Sequence, residues 1–387
     1  MKTLYSILPP FAPDYSGVSS VFFELGGATL INGADGCTGN VTGYDEPRFF
    51  NSNKSLFSTG IREINAIMGD DAYIVDRLNN DKEDFVVISS TPVPAVIGID
   101  QQSAARKISE KYNVPVYHFD TTGTATYEKG ASQAFLTMAK KMLNKTDVRI
   151  SNSVNIIGAT PLDYWNKMQI DHIIKALEKR GISINACWSM GTTLDEIKNS
   201  LQGSMNLVVS ISGLEAAKYM KDEFDMPYRV GVPIGRRLSD QLAGDILDAE
   251  PDVVSHPKCK VTNIQDILII GEQVWANSYR NAIKLEYGIQ NVKVVSFFQM
   301  EKSLMEEKDE FLDSEKALQA LLEKENYQQY IGDPLFKRLI SRENEDKYIE
   351  IPHLAVSSRI YWDHEILYTG EKGLEIIEKH MKEVAVC

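Results

Sequence analysis

The loop around Cys37 contains the residues whose types and spacing most suggest chemistry. It covers positions 32–40, NGADGCTGN, directly after the apolar stretch 28–31. Gly33 and Gly36 permit tight or left-handed backbone geometry just before the thiol. Thiols presented in this way near a helix start tend toward the thiolate, which is the form that binds metal ions. The loop therefore indicates a metal-ligating cysteine, and a packed, inert cysteine in a glycine turn is the alternative.

The other three cysteines carry less information. Cys187 follows the predicted strand 182–185, and a core position is favoured over a site position. Cys259 lies in a predicted linker, and Cys387 is the last residue of the sequence. No two cysteines have CxxC or CxxxC spacing, so neighbouring residues cannot build a four-thiolate site. So few cysteines make no disulfide framework, and we expect a reducing, cytoplasmic compartment.

Several well-known signatures are absent from the sequence. The lack of GxxxxGK[ST] argues against an ATP-hydrolysing P-loop, and the lack of GxGxxG after a strand argues against the usual nicotinamide site. HExxH is missing as well. The six histidines show no spacing that identifies a partner for a nucleophilic cysteine. Reactivity must therefore come from another source, or the chain is a binding protein.

A regular alternation of strands and helices must position these residues. Short apolar runs predict strands at 85–89, 114–119, 154–158, 182–185, 207–210, 266–271 and 292–298. Amphipathic stretches predict helices near 99–112, 127–144, 164–180, 215–224 and 314–325, and one that ends at 287. This alternation indicates an α/β fold with parallel sheets covered on both faces. Ligands of such sheets bind beyond the carboxyl ends of the strands.

The spacing of these elements predicts three α/β units. They cover residues 1–150, which contain the Cys37 loop, 151–255 and 256–387. The stretch 250–261 contains two prolines and few periodic apolar residues, so it is the predicted linker.

The composition is that of a soluble globular protein and excludes some partners. Of the 387 residues, 43% are hydrophobic and 25% are charged. The net charge of −13 argues against binding to nucleic acid phosphates or to anionic lipid. No apolar run approaches the roughly 20 residues that span a bilayer, and positions 1–13 do not form a convincing signal peptide. We therefore expect no nucleic acid and no membrane partner.

Taken in order along the chain, short stretches resemble one family. They are GADGC at 33–37, FSTGIRE at 57–63, IMGD at 67–70, ISST at 88–91, VIGID at 96–100, GTTLDEI at 191–197, NLVVS at 206–210, DPL at 333–335 and IPH at 351–353. They resemble component 1 subunits of the nitrogenase-like oxidoreductases, which include the nitrogenase molybdenum–iron protein and dark-operative protochlorophyllide reductase. The resemblance runs over nearly the whole chain and implies three Rossmann-like domains, with parallel sheets flanked by helices, around a central cleft.

The resemblance also implies site residues in the first unit. A Gly-x-x-Gly-Cys loop of this family supplies a thiolate to an iron–sulfur cluster between two subunits, which makes Cys37 the predicted metal ligand. Gly33, Asp35 and Gly36 would then lie beside the cluster. Ser89, Ser90 and Thr91 are candidate hydrogen-bond donors to its surroundings, and ordinary loop hydrogen bonding is the alternative.

Three departures from the family pattern limit what is expected. Pro92 stands where a second cluster cysteine would follow, and no cysteine lies between Thr42 and Asp70, although Asp45 or Asp70 could coordinate. Ser210 stands where active nitrogenase has the cysteine that binds its molybdenum cofactor. Dinitrogen reduction is therefore not expected.

The resemblance implies partners and a cofactor. A [4Fe-4S] cluster needs four ligands, mostly thiolates, and one loop cysteine cannot satisfy it. A different component 1-like subunit that supplies three cysteines is favoured. An identical chain, with Asp35 or another ligand completing the set, is the alternative. Electrons would come from an ATP-dependent, iron-protein-like reductase and pass to a small molecule in the cleft.

His353 and Ser210 are the candidate catalytic residues in that cleft. Ser210 ends a predicted strand, and His353 follows the stretch 348–352. A histidine is a plausible proton donor near neutral pH, and a structural histidine is the alternative. Two other functions stay open, namely a scaffold or carrier for iron–sulfur cofactor assembly and a cluster-free binding module.

Overall fold

Three parallel sheets flanked by helices form the architecture of the chain. The computed structural model describes residues 6–50, 56–69, 71–78, 83–248, 263–361 and 365–382. Every strand pair in the three sheets is parallel. The prediction of an α/β fold with covered parallel sheets is confirmed.

The first sheet carries the predicted site loop. Its order is β2-β1-β3-β4, with β1 at Ala28–Asn32, β2 at Leu56–Ser58, β3 at Val86–Ser90 and β4 at Val116–Phe119. β1 and β3 are completely buried and pair with Asn32 opposite Ser90. The residues that follow these two strands therefore leave the sheet side by side, as the carboxyl edge of a parallel sheet requires.

The remaining strands form the middle and third sheets. The middle sheet has the order β6-β5-β7-β8, with β5 at Ile150–Ile157, β6 at Ser183–Cys187, β7 at Gly203–Val208 and β8 at Tyr228–Val230. The third has the order β11-β10-β9-β12-β13, with β9 at Asn263–Ile270, β10 at Ile289–Ser296, β11 at Glu310–Phe311, β12 at Gln329–Gly332 and β13 at Tyr348–Glu350. Below, the first, middle and third units are the parts of the chain that contain the first, middle and third sheets.

Helices connect and cover the strands. They are α1 Asp14–Phe22, α2 Asp35–Asn40, α3 Glu63–Met68, α4 Ala72–Val75, α5 Pro92–Ile97, α6 Gln101–Tyr112, α7 Tyr127–Lys141, α8 Pro161–Tyr164, α9 Lys167–Glu178, α10 Leu194–Lys198, α11 Leu214–Phe224, α12 Gly235–Leu247, α13 Gln273–Tyr287, α14 Glu315–Lys324, α15 Leu354–Ser357 and α16 Glu375–Lys382. α1 packs closely on α7, because a Cβ on Gly17 would lie 2.0 Å from the carbonyl oxygen of Tyr127. No helix in the described part of the chain is long and apolar enough to cross a membrane.

The two ends of the chain tie the units together. Near the start, Phe11 packs among aromatic rings of the third unit, and the N–H of Ala12 donates to the carbonyl of Ala355. Near the end, Gly370 pairs with Ile234, and Ile377 of α16 packs in the core of the middle and third units. Apart from Ile150, the first residue of β5, each sheet falls within one of the three predicted units, whose boundaries stay a prediction. The predicted linker 250–261 lies outside the described residues.

Candidate functional site

Gly33 and Thr91 join the two loops that leave the first sheet. The N–H and the hydroxyl of Thr91 both donate to the carbonyl of Asn32, at 2.9 and 3.1 Å. A Cβ on Gly33 would lie 2.1 Å from Thr91 Oγ1, so the position accepts only glycine without a shift of its neighbours. The N–H of Gly33 donates to Thr59 Oγ1 at 3.1 Å. The start of the Cys37 loop is therefore fixed from both sides.

The Cys37 loop itself faces outward. Asp35 begins the short helix α2, and its carboxylate accepts a hydrogen bond from Ser58 Oγ at 2.7 Å. Asp35 and Gly36 are exposed, and a Cβ on Gly36 would meet no atom within 4 Å. Cys37 is half-buried, and its N–H donates to the carbonyl of Ala34. The residues before Cys37 are therefore exposed, and Cys37 itself is half-buried.

Ser89, Ser90 and Thr91 lie beneath this surface. All three are fully buried. The N–H of Ser90 donates to Thr121 Oγ1, and the same hydroxyl donates to the carbonyl of Ser90, both at 2.7 Å. Ser89 Oγ has no partner among the described residues. Ser90 and Thr91 support the loop through local hydrogen bonds, and a role of these residues toward a cluster stays a prediction.

Exposed apolar side chains follow the strands of the same sheet. We call the following residues the apolar face: Tyr44, Phe50, Phe57, Ile64, Ile67, Met68, Val93, Val96 and Ile97. Val96 is 85% exposed and Ile67 is 79% exposed. Large exposed apolar areas on a protein mark surfaces that bind other molecules. Most of them lie on α3 and α5, which leave the carboxyl edge of the first sheet as α2 does.

Two other possible metal ligands, Asp45 and Cys187, are buried. Asp45 is buried and accepts a hydrogen bond from Ser16 Oγ at 2.6 Å, and burial raises the pKa of its carboxyl to about 7. Burial raises the pKa of the Cys187 thiol to about 12, and this residue packs in the core of the middle unit. Asp70, Cys259 and Cys387 lie outside the described residues.

A small cavity, called the central cavity below, lies between the middle and third units. Its volume is about 20 Å³, which is room for about one water molecule. It lies beyond the carboxyl ends of β5, β9, β10, β12 and β13, and its walls are Asp163, Ile270, Gly271, Trp275, Phe298, Asp333, Phe336, Ile351, Pro352, His353 and Tyr368. This is the position at which open α/β sheets bind ligands.

His353 contributes a neutral imidazole to the cavity. Its backbone N–H donates to Asp333 Oδ2 at 2.7 Å, and its Nε2 lies 3.4 Å from the hydroxyl of Tyr127. Burial lowers the pKa of the imidazole to about 3, because the cation would lose its hydration. The ring is therefore uncharged at neutral pH and cannot act there as an imidazolium acid.

Comparisons with known proteins identify the family of the chain. The sequence model of the nitrogenase component 1 type oxidoreductases matches residues 14–250, which is more than half of the chain. The chain belongs to this family.

The sequence matches to individual members of the family are shorter than the match to the family model. The nitrogenase iron-molybdenum cofactor biosynthesis protein NifE of Clostridium pasteurianum is 28% identical over 181 residues, which is 45% of this chain and 39% of that protein. One subunit of the light-independent protochlorophyllide reductase of Leptolyngbya boryana is 26% identical over 181 residues, 43% of this chain and 36% of that protein. The matched part is thus about two fifths of the length of these relatives.

A solved structure extends the likeness of fold to the whole chain. The structure of nitrogenase Cp1 at pH 6.5 superposes with a TM-score of 0.73 at 13% identity, and covers 99% of this chain and 94% of that one. The Rossmann-like fold of the family therefore continues beyond residue 250.

The cleft of this component 1-type chain does not fit a nitrogenase-type metal cofactor. Ser210 is fully buried, and its hydroxyl donates to the carbonyl of Gly158 at 2.6 Å. The next N–H, of Ile211, donates to Glu272 Oε1 at 2.8 Å. The end of β7 is therefore bonded internally. The central cavity, which none of these residues lines, has room for about one water molecule. Of the two cysteines in the described residues, Cys37 is half-buried and Cys187 is buried.

Several polar residues of the cleft were missed by the sequence analysis. They are Tyr127, Asp163, Glu272 and Asp333. Burial raises the pKa of Glu272 and of Asp333 to about 7, and burial with repulsion from Glu272 raises the pKa of Asp163 well above its usual range. A local signal was available for two of them. An acid directly follows a glycine at a strand end in Gly271-Glu272 and in Gly332-Asp333.

Proposed function

We propose that this chain is a component 1-type subunit of a nitrogenase-like oxidoreductase. It binds an iron–sulfur cluster of the [4Fe-4S] type at a subunit interface through Cys37. Electrons pass from an ATP-dependent, iron-protein-like reductase to a small molecule other than dinitrogen. The observation that carries this proposal is the position of Cys37, half-buried on an open loop beside the apolar face.

The residues around Cys37 would hold one corner of the cluster. The cluster, when bound, supplies one-electron redox chemistry, whose potential depends on ligand type, hydrogen bonds and solvent access. The Gly33–Thr91 contact fixes the backbone that leads to the thiol. A rigid loop favours binding, because little conformational entropy is lost when the ligand set is completed.

The partner would be a second component 1-like subunit, and a different chain is favoured over a second copy. Asp45 is buried and bonded to Ser16, so it does not face this surface as a ready ligand. Asp35 would have to give up its bond to Ser58. A two-fold contact between identical chains therefore brings together two thiols, and a partner with three cysteines completes the set more simply. The apolar face is the surface that this partner would cover.

A scaffold or carrier for cofactor assembly is the second candidate. The likeness to a cofactor biosynthesis protein supports it. The size of the central cavity argues that such a scaffold would hold its cargo at the Cys37 surface and not in the cleft. Turnover with a matched ATP-dependent reductase separates the two candidates, because a scaffold would not reduce a substrate catalytically.

The test is an anaerobic co-purification with the partner subunit, followed by iron and sulfide analysis and the visible spectrum. The wild type and Cys187→Ala, the matched control at a core thiol, should contain equal iron. Cys37→Ala should lose the iron or change its spectrum. If the wild type stays free of iron after reconstitution with its partner, or if Cys37→Ala keeps a normal cluster, the proposal is wrong.

A further inference from the structure

We infer that Arg48 is a positioning residue that fixes the Cys37 loop against the carboxyl edge of the middle sheet. The inference rests on the proposed function, in which Cys37 binds the cluster and electrons pass on to a small molecule. Its structural basis is a path of hydrogen bonds that needs no cluster. This path begins at the backbone of Cys37 in the first unit and ends at Ser189 in the middle unit.

Backbone hydrogen bonds form the first part of the path, from Cys37 to Glu46. The N–H of Val41, which follows α2, donates to the carbonyl of Cys37. Residues Val41–Asp45 then form a π-helix, and the N–H of Glu46 donates to the carbonyl of Val41 at 2.9 Å. Such π-helical turns are rare, and they frequently lie at functional sites. The backbone that carries the thiol is therefore bonded without a gap to Glu46.

The side chains of Glu46 and Arg48 form the next part of the path. Glu46 is 1% exposed. Its two oxygens accept hydrogen bonds from Nε and Nη2 of Arg48, both at 2.7 Å. A buried carboxylate that lost its cation would destabilise the fold strongly. The ring of Phe23 lies against the guanidinium, with its centroid 5.0 Å from Arg48 Cζ. The guanidinium is thus held in one orientation.

The guanidinium of Arg48 bonds the first and middle units at once. Nη2 donates to the carbonyl of Ser20 in α1 at 2.6 Å, and Nη1 donates to the carbonyl of Ser189 in the middle unit. The hydroxyl of Ser189 donates to the same Ser20 carbonyl at 3.0 Å. An arginine side chain can make all these bonds because it presents five N–H donors in a rigid plane.

Ser189 belongs to a strained turn that follows β6. It is fully buried and has φ 79°, a left-handed conformation that is uncommon for residues other than glycine. Farther along the turn, the N–H of Gly191 donates to Glu24 Oε2 of the first unit at 2.9 Å. The turn lies beyond the carboxyl end of its strand, where α/β sheets bind ligands. Arg48 and Glu24 therefore hold this edge of the middle sheet against the first unit.

This arrangement gives the Cys37 loop a fixed position relative to the middle unit. Electron transfer between two centres slows steeply with the distance between them. A cluster ligand on a loosely held loop would let that distance vary. The bonds of Arg48 restrict this variation, because they tie the segment after Cys37 to both units.

Arg48→Lys tests the inference in the cluster-free chain. Lysine keeps a positive charge beside Glu46 and loses the planar group that reaches Ser20 and Ser189. We expect Cys37 to react with iodoacetamide about tenfold faster than in the wild type, because α2 and the π-helix would open locally more often. A wild-type rate at Cys37 in the folded variant overturns the inference.

Arg149→Lys is the matched control for a general loss of stability. The guanidinium of Arg149 also donates to backbone carbonyls, those of Leu201, Gly203 and Phe224, and all of them lie in the middle unit. This variant should lose stability to urea as Arg48→Lys does, and it should keep the wild-type rate at Cys37. An equal increase of that rate in both variants overturns the inference, because Arg48 would then act through stability alone.

A second variant decides if Arg48→Lys does not fold. Glu24 is exposed, so Glu24→Ala should fold, and it removes the acceptor of the Gly191 N–H. Cys37 should again react faster than in the wild type. An unchanged rate in Glu24→Ala would then overturn the inference.

The outcomes separate this inference from the proposed function. In the anaerobic complex with its partner, Arg48→Lys should change the visible and electron paramagnetic resonance spectra of the cluster, and Arg149→Lys should keep the wild-type spectra. A wild type without iron, in which Arg48→Lys still speeds alkylation of Cys37, keeps the positioning role and loses the proposed function. A wild type with a cluster, whose spectra and Cys37 rate are unchanged in Arg48→Lys, keeps the proposed function and overturns the inference.

Discussion

The carboxylate of Glu272 accepts the backbone N–H of Ile211 at 2.8 Å and so joins the third unit to the end of β7 in the middle unit. It also accepts the N–H groups of Val274 and Trp275 at the start of α13, and it is 1% exposed. One buried carboxylate therefore caps a helix and holds two units together. This contact lies directly after Ser210, whose hydroxyl is bonded to the carbonyl of Gly158.

Glu272→Gln should destabilise the chain, because an amide has one acceptor oxygen where the carboxylate has two. The loss should be about 1–3 kcal/mol, the usual result of leaving a buried donor without its partner. Urea denaturation measures it. Glu215→Gln, on the exposed first turn of α11, is the control and should change stability by less than about 0.5 kcal/mol. Equal effects of the two substitutions would contradict a role of Glu272 in joining the units.

The stability of the wild type should fall as the pH rises from about 4.5 to 7. The folded pKa values of Glu272 and Asp333 are raised to about 7, above their ordinary values of 4.5 and 3.8. Between those values the unfolded chain binds fewer protons than the folded chain, so the free energy of unfolding decreases with rising pH. Denaturation curves at several pH values measure the slope. Asp333→Asn should flatten it, and an unchanged slope would contradict the assignment.

Gly33→Ala should destabilise the Cys37 loop, because its Cβ would lie 2.1 Å from Thr91 Oγ1. Overpacking of this kind costs about 1–3 kcal/mol. Gly36→Ala is the matched control, since its Cβ meets open space and α2 tolerates alanine. Thermal unfolding of both variants checks the difference. A Gly33→Ala protein as stable as the control would show that the contact with Thr91 yields easily.

Val96→Asp and Ile67→Asp should weaken association with the partner subunit and leave the folded chain intact. Both side chains are more than three quarters exposed on the apolar face. A buried charge at an interface typically costs more than about 1.4 kcal/mol, or tenfold in Kd. Sedimentation of the mixed subunits measures the affinity. Val148 is exposed but lies outside the apolar face, so Val148→Asp should bind the partner normally. If Val96→Asp and Ile67→Asp both bind with wild-type affinity, the apolar face is not the surface that the partner covers.

Cys37 should react with iodoacetamide in the cluster-free chain much faster than Cys187. Cys37 is half-buried, and Cys187 is fully buried with a thiol pKa of about 12. Reaction of a buried thiol waits for opening of the fold, so we expect a rate difference on the order of 100-fold. Peptide mapping by mass spectrometry follows each site separately. Similar rates would mean that the loop of Cys37 is closed in solution.

The sequence alone determined the α/β fold, because apolar strand runs and helical periodicity are local patterns. It also indicated Cys37, since a thiol between glycines after a strand end is visible in nine residues. Only the tertiary structure shows which residues meet in the cleft. Tyr127 reaches Asp163 across 36 positions and His353 across 226, and no local pattern records such pairs. The pKa values of these groups depend on burial and on neighbouring charges from other units. For the same reason, only the fold reveals that the hydroxyl of Ser210 is already bonded to Gly158 and that the central cavity holds little more than a water molecule.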